Sequence, residues 1–161
     1  MSAIDPVDRV VPVTCLPASG SVFPLGSTTV RCSAANAAGM TDTARIAVRV
    51  QDTSAPTIVG MTPSVSTLAP TGQMVPVTIA AVVRDVVDLA PVCSVTRVTS
   101  NVKDVDHNGV PDWAMTGPLT VSLEAATKKH RDRTYTITVR CTDASGNASF
   151  DKAAVVVSHL P

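Results

Sequence analysis

The run Thr134-Tyr135-Thr136-Ile137-Thr138-Val139-Arg140-Cys141-Thr142-Asp143-Ala144-Ser145-Gly146-Asn147 decides how the rest of this chain is read. Tyr135, Ile137, Val139 and Cys141 alternate with Thr134, Thr136, Thr138 and Arg140. Period-two alternation in β-branched residues sends one set of side chains inward and the other to solvent, which predicts a half-buried strand. Asp, Ser, Gly and Asn then supply turn chemistry at its end. The same phrase occurs earlier as Ser27-Thr28-Thr29-Val30-Arg31-Cys32-Ser33-Ala34, running on to Gly39. Two copies of strand, cysteine and glycine turn predict two related β modules in tandem.

Composition agrees with that. The 161 residues include one Trp, one Tyr and two Phe, so Val, Ile, Leu and Ala must build the core. Abundant Val and Thr with little Glu and Lys favour all-β structure. The 12 prolines oppose long helices. Each half is small enough that its core needs staples. Thirteen basic and thirteen acidic residues cancel, so no basic excess points to nucleic acid or an anionic membrane. No stretch approaches the roughly 18 apolar residues that insert across a bilayer.

Four cysteines, two per half, can pair in three ways. Pairing within each half, Cys15 with Cys32 and Cys93 with Cys141, is the simplest. On the loop-entropy view those closures contribute roughly 3 and 4 kcal/mol. No CxxC pair is present and the histidines lie far off, which argues against zinc. Disulfides imply an oxidising compartment. Met1 to Asp5 has neither a charged start nor an apolar run, so no signal peptide is read here. The expectation is a piece of a larger exported protein; reduced thiols are the alternative.

Strands are predicted over 8–16, 27–34, 43–50, 57–61, 74–84, 92–98, 118–125, 134–142 and 153–157, with a polar hairpin over 126–133. Pro12 and Pro76 each demand a sheet edge or a bulge. Asp52-Thr53-Ser54-Ala55-Pro56 is short, polar and stiffened by proline, a semi-rigid spacer. The expected division is a module over 1–51, a linker over 52–56 and a module over 57–161.

Residues 3–56 resemble the second half of a hyalin-repeat (HYR) domain, an immunoglobulin-like extracellular module. The resemblance is carried by Cys15 before Pro17-Ala18-Ser19-Gly20, by Phe23-Pro24-Leu25-Gly26 leading to Thr28, Val30 and Cys32, by Ala37-Ala38-Gly39, and by Asp52-Thr53-Ser54-Ala55-Pro56. Arg9 stands where that family usually has Gly, Asn36 where it has Asp, and Met40 where it has Asn. The resemblance also implies that the first strands of the module are missing before residue 3. Backbone edges and an apolar face should then be exposed, to be covered by the missing sequence itself, by the second module, or by a strand supplied from another chain, for which the edge over 9–16 is the cue. Residues 56–158 resemble the immunoglobulin-like module found beside HYR domains in secreted bacterial proteins. Met74-Val75-Pro76-Val77-Thr78, Pro111-Asp112-Trp113, Leu119-Thr120-Val121-Ser122-Leu123 and the opening run carry that likeness. It implies a sandwich whose sheets are bridged by Cys93–Cys141, and it implies no enzymatic activity.

The candidate metal site is Asp104-Val105-Asp106-His107-Asn108-Gly109-Val110-Pro111-Asp112. Oxygen ligands from Asp104, Asp106 and Asn108, the Val110 carbonyl and Asp112 suit a hard cation such as calcium, and Gly109 permits the sharp turn. The run resembles the Asp-rich loops of thrombospondin type 3 repeats, but Met115 stands where an EF-hand has its bidentate Glu. The alternative is a loop turned by Asx hydrogen bonds. Trp113 is expected in the core against the disulfide; exposed, it would stack on a sugar. Lys128-Lys129-His130-Arg131-Asp132-Arg133 reads as a solvated turn. His107, His130 and His159 have no nucleophile placed beside them, and Asp85 and Asp88 read as turn residues. Nothing meets the requirements of an active site.

The sequence therefore predicts an all-β chain of two tandem immunoglobulin-like β-sandwich modules, the first lacking its early strands, each with one disulfide. A non-catalytic extracellular spacer or adhesion element is expected, with other protein chains or surface glycans as partners. Two alternatives are a self-assembling filament or particle-coat subunit and an accessory carbohydrate-binding module of a secreted hydrolase.

Overall fold

The computed structural model describes residues 2–102, 111–127 and 131–159. Every regular element among them is a strand, and the chain is all-β. It divides into two compact units, residues 1–52 and 53–161.

The first unit is a single antiparallel sheet of β1 (Ser2–Asp5), β2 (Arg9–Leu16), β3 (Gly26–Ala35) and β4 (Thr41–Val50), in that order. β1 is shorter than the alternation rule can detect. It is folded back by Asp5, whose carboxylate accepts from the amides of Val7 and Asp8 at 2.8 and 3.0 Å. This narrows the expected free edge over 9–16 to 13–16, because β1 pairs with Arg9 to Pro12. β3 takes the other side of β2 from Val13 to Leu16. Pro12 therefore falls in the half of β2 that has one neighbour, where its missing N–H costs no ladder bond.

One face of this sheet carries Val11, Val13, Cys15, Val30, Cys32, Ile46 and Val48, matched across the strands by register. The other carries Thr14, Thr29, Arg31, Ser33, Thr43, Arg45 and Arg49. Among the described residues no second sheet packs on the apolar face within this unit. Only Val11, Val30 and Cys32 are buried there, while Ile46 stays 42% exposed. The Cys15–Cys32 disulfide joins directly opposite residues of β2 and β3.

The second unit is a β-sandwich. One sheet has the order β5 (Thr57–Pro63), β7 (Met74–Arg84), β10 (Thr120–Glu124), β9 (Trp113–Gly117). The other has the order β6 (Thr67–Leu68), β12 (Ala148–Val157), β11 (Arg133–Thr142), β8 (Val92–Ser100). The core lies between them: Val77, Ile79, Val121 and Leu123 meet Val98, Tyr135, Ile137, Val139, Val155 and Val157. Each such buried side chain is worth about 1.5–3 kcal/mol relative to exposure. The alternation read over 134–141 is the inward face of β11, where Tyr135, Ile137, Val139 and Cys141 are fully buried.

Pro76 again has one strand neighbour. It pairs with Ser122 of β10, whereas β5 reaches β7 only over Ile79 to Arg84. β7 is thus interior to its sheet and still accommodates the proline.

The expected inter-sheet disulfide is not what forms. Cys93 and Cys141 are register partners on adjacent strands β8 and β11, with Cα atoms 4.0 Å apart. Facing sheets lie about 10 Å apart, so this bridge staples one sheet to itself.

Candidate functional site

The face of the first unit forms a groove of about 590 Å³. Val13, Val30, Ile46 and Val48 make its floor, and Pro17 and Phe23 from the β2–β3 connection make one wall. That connection begins with a cis Leu16–Pro17 bond. Its chemistry is apolar with backbone at the rim, suited to burying side chains of another β element. The turn that carries β1 is tied down by polar contacts: Asn36 donates to Asp5 Oδ2 at 3.1 Å, and the Ala37 amide donates to Asp8 Oδ2 at 2.7 Å. The amides of Asp8 and Val7, then Asn36, hold the Asp5 carboxyl below the ordinary carboxylate range.

In the second unit the polar centre is Arg133, which is fully buried. Its guanidinium pairs with Asp112 and with Glu124 Oε2, the latter at 3.2 Å. Nε donates to Ser100 Oγ at 3.0 Å, and the group lies 4.6 Å from the centroid of the Tyr135 ring. The Tyr135 hydroxyl sits between the carbonyls of Asp112 and Glu124, at 3.1 and 2.9 Å, and donates its proton to that pair. Burial pushes the Tyr135 phenol well above its ordinary value, against the opposing pull of Arg133. A buried cation with two carboxylates and a hydroxyl acceptor engages all three guanidinium nitrogens.

This corrects the solvated-turn reading of 128–133 at its last residue. Arg131 and Asp132 are exposed, but Arg133 opens β11 and points inward. Lys128, Lys129 and His130 lie outside the described residues. The charge run concealed the buried arginine because its partners, Asp112 and Glu124, are distant in sequence.

Of the calcium candidates, Asp104, Asp106, Asn108 and Val110 lie outside the described residues, as does His107. Asp112 is described: it is buried, its carboxylate engages Arg133, and its carbonyl also accepts the Glu124 amide at 2.8 Å. Trp113 is partly buried, edge-on to Tyr135 at 6.3 Å between centroids. Tyr135 and Cys141 occupy opposite ends of β11, so the expected packing of Trp113 on the disulfide is replaced by packing on Tyr135.

Asp85 and Asp88 act as turn residues. Asp85 Oδ1 accepts from the amides of Val87 and Asp88, both at 2.8 Å, while Asp88 accepts from Ala90 and Ala144 at 2.9 and 2.8 Å. Asp143 closes the β11–β12 turn by accepting from the backbone and side-chain amides of Asn147, both at 2.8 Å. Burial alone pushes the Asp143 carboxyl up, but the Asn147, Ser145 and Gly146 donors together hold it below the ordinary range. His159 donates its amide to Asp132 at 2.8 Å.

A scan of protein-family models and a search of curated proteins found no match to this chain. No helix among the described residues is long and apolar enough to cross a membrane.

Proposed function

We propose that this chain is a non-catalytic structural or adhesion element of an extracellular protein, of the HYR and immunoglobulin-like kind. In it the stapled sandwich serves as a rigid body and the single-sheet unit as an attachment surface. The observation that carries the reading is the apolar face of Val13, Val30, Ile46 and Val48, which has no second layer in its own unit. Both disulfides fit an oxidising compartment, and secretion is proposed on that basis. An environment-sensitive apolar dye tests the face: the full chain binds it, and Val48→Arg reduces binding with the second unit still folded. Absence of dye binding would overturn the attachment reading.

Self-assembly is the second reading, favoured by the free outer edge of β4. Glycan binding is disfavoured by Trp113, whose ring is committed edge-on to Tyr135. Calcium remains proposed at Asp104, Asp106, Asn108 and Val110. The engagement of Asp112 by Arg133 reduces its part, so an affinity near the 10⁻⁴–10⁻³ M of extracellular modules is the expectation. Calorimetric titration with calcium checks this, and no heat at millimolar calcium removes the metal from the account.

A further inference from the structure

We propose that the outer edge of β4 pairs antiparallel with β4 of a second copy of this chain, about a two-fold axis at Ile46. This goes beyond an attachment surface in naming the partner and the register. It rests on the single-sheet form of the first unit, not on where the protein resides.

β4 ends its sheet, and Thr41 to Ala47 are exposed throughout. The strand is ten residues long and has no proline, glycine or register shift against β3. Long edges of this kind offer a row of outward donors and acceptors, and proteins ordinarily blunt them; in β4 the Thr43 amide is already engaged, donating to Asp42 Oδ1 at 2.7 Å.

The phase of that row follows from the first disulfide. Cys15 and Cys32 are directly opposite with Cα atoms 4.0 Å apart. That separation belongs to a non-hydrogen-bonded pair, near 4.5 Å rather than 5.5 Å. The backbone groups of Cys32 therefore turn away from β2, toward Ala44 of β4. Ala44, Ile46 and Val48 spend their N–H and C=O groups on β3. Arg45, Ala47 and Arg49 direct theirs outward, and so does the Thr43 carbonyl.

Side-chain chemistry then selects partner and register. Period-two alternation admits only pairings that keep apolar residues on one face. Two symmetric registers overlap nearly the whole strand. The one centred on Arg45 sets Arg45 directly against its own copy, which is destabilising. The one centred on Ile46 sets Ile46 on Ile46, Ala44 on Val48, Arg45 on Ala47 and Thr43 on Arg49, with no like charges opposite. Centring on Ala47 would again oppose arginines, Arg45 on Arg49. In the Ile46 register, Arg45 and Ala47 exchange their outward backbone bonds. Ile46 and Val48, part of the groove floor, then extend one continuous apolar face across both copies. The arginines lie diagonal to one another on the solvated face, so added salt should tighten the pairing.

The test is sedimentation equilibrium on the full chain, with variants. The expected result is reversible association from the 16.6 kDa monomer to twice that mass, tighter at higher salt. Ala47→Pro deletes an outward N–H, spares the β3 ladder, and should weaken association at least tenfold. Ile46→Cys places two thiols opposite one another in a chain with no free cysteine among its native four, and mild oxidation should link the dimer. Thr43→Cys should not link. A monomer at all accessible concentrations overturns the proposal but leaves the dye test of the open face intact. So does a dimer that Ala47→Pro leaves unchanged and Ile46→Cys fails to link. If Ala47→Pro unfolds, the two cysteine variants decide.

Discussion

Arg133 is the buried cation among the described residues. It is buried with Asp112 and Glu124 around it and Ser100 and Tyr135 filling its remaining contacts. Removing the cation strands two carboxylates in a poorly solvated site, so Arg133→Ala should cost about 3–5 kcal/mol. Arg133→Lys should recover only part of this, since a point charge cannot serve both carboxylates and Ser100. Urea denaturation of the second unit measures both. At Arg9 the backbone has φ 63°, the left-handed region, where the HYR resemblance places glycine. A non-glycine residue there costs about 1–2 kcal/mol, partly offset because glycine has more unfolded-state freedom to lose. Arg9→Gly is therefore expected to be neutral or stabilising, and the β-branched Arg9→Val to destabilise the first unit; thermal melts check the order. Asp143 sets an acid limit. Its folded-state carboxyl is held below the ordinary range, so its contribution is complete above its unfolded value. That contribution is lost as pH falls below about 4 toward the folded one. Asp143→Asn should lower stability at pH 7 and flatten the acid loss of the second unit, read from melts between pH 7 and pH 2.

At the scale of elements, the strands were legible wherever alternation ran for several residues. β7 and β11 follow directly from Met74 to Arg84 and Thr134 to Thr142. β1, β6 and β9 were not legible. Four residues cannot establish a period, and Trp113 to Gly117 has no alternation, because β9 is an edge defined by its pairing with β10. Disulfide partners within each half were the simplest reading, whereas the same-sheet placement of Cys93 and Cys141 depends on strand order, which no local signal encodes. The same limit concealed the Arg133 site. Dependence on the staples should differ between units. The first unit buries only Val11, Val30 and Cys32, too little to offset chain entropy without the roughly 3 kcal/mol of its crosslink. Cys15→Ala with Cys32→Ala should abolish the lower of two urea transitions and leave the upper one unchanged. Two persisting transitions would show that the first unit holds without its bridge.

For the whole molecule, the two units pose opposite problems. The sandwich satisfies its apolar surface internally, between sheets whose core residues are nearly all fully buried. The single sheet leaves the outer edge of β4 without a strand neighbour and one apolar face without a second layer among the described residues, which is why an attachment role is proposed for it. Residue-resolved amide hydrogen exchange over a range of protein concentrations tests this most directly. In dilute solution the account predicts alternation along β4, with Ala44, Ile46 and Val48 protected and Arg45, Ala47 and Arg49 exchanging fast. At high concentration the fast set should become protected while β11 is unchanged. Uniform protection along β4 in dilute solution, or a fast set indifferent to concentration, would contradict the account.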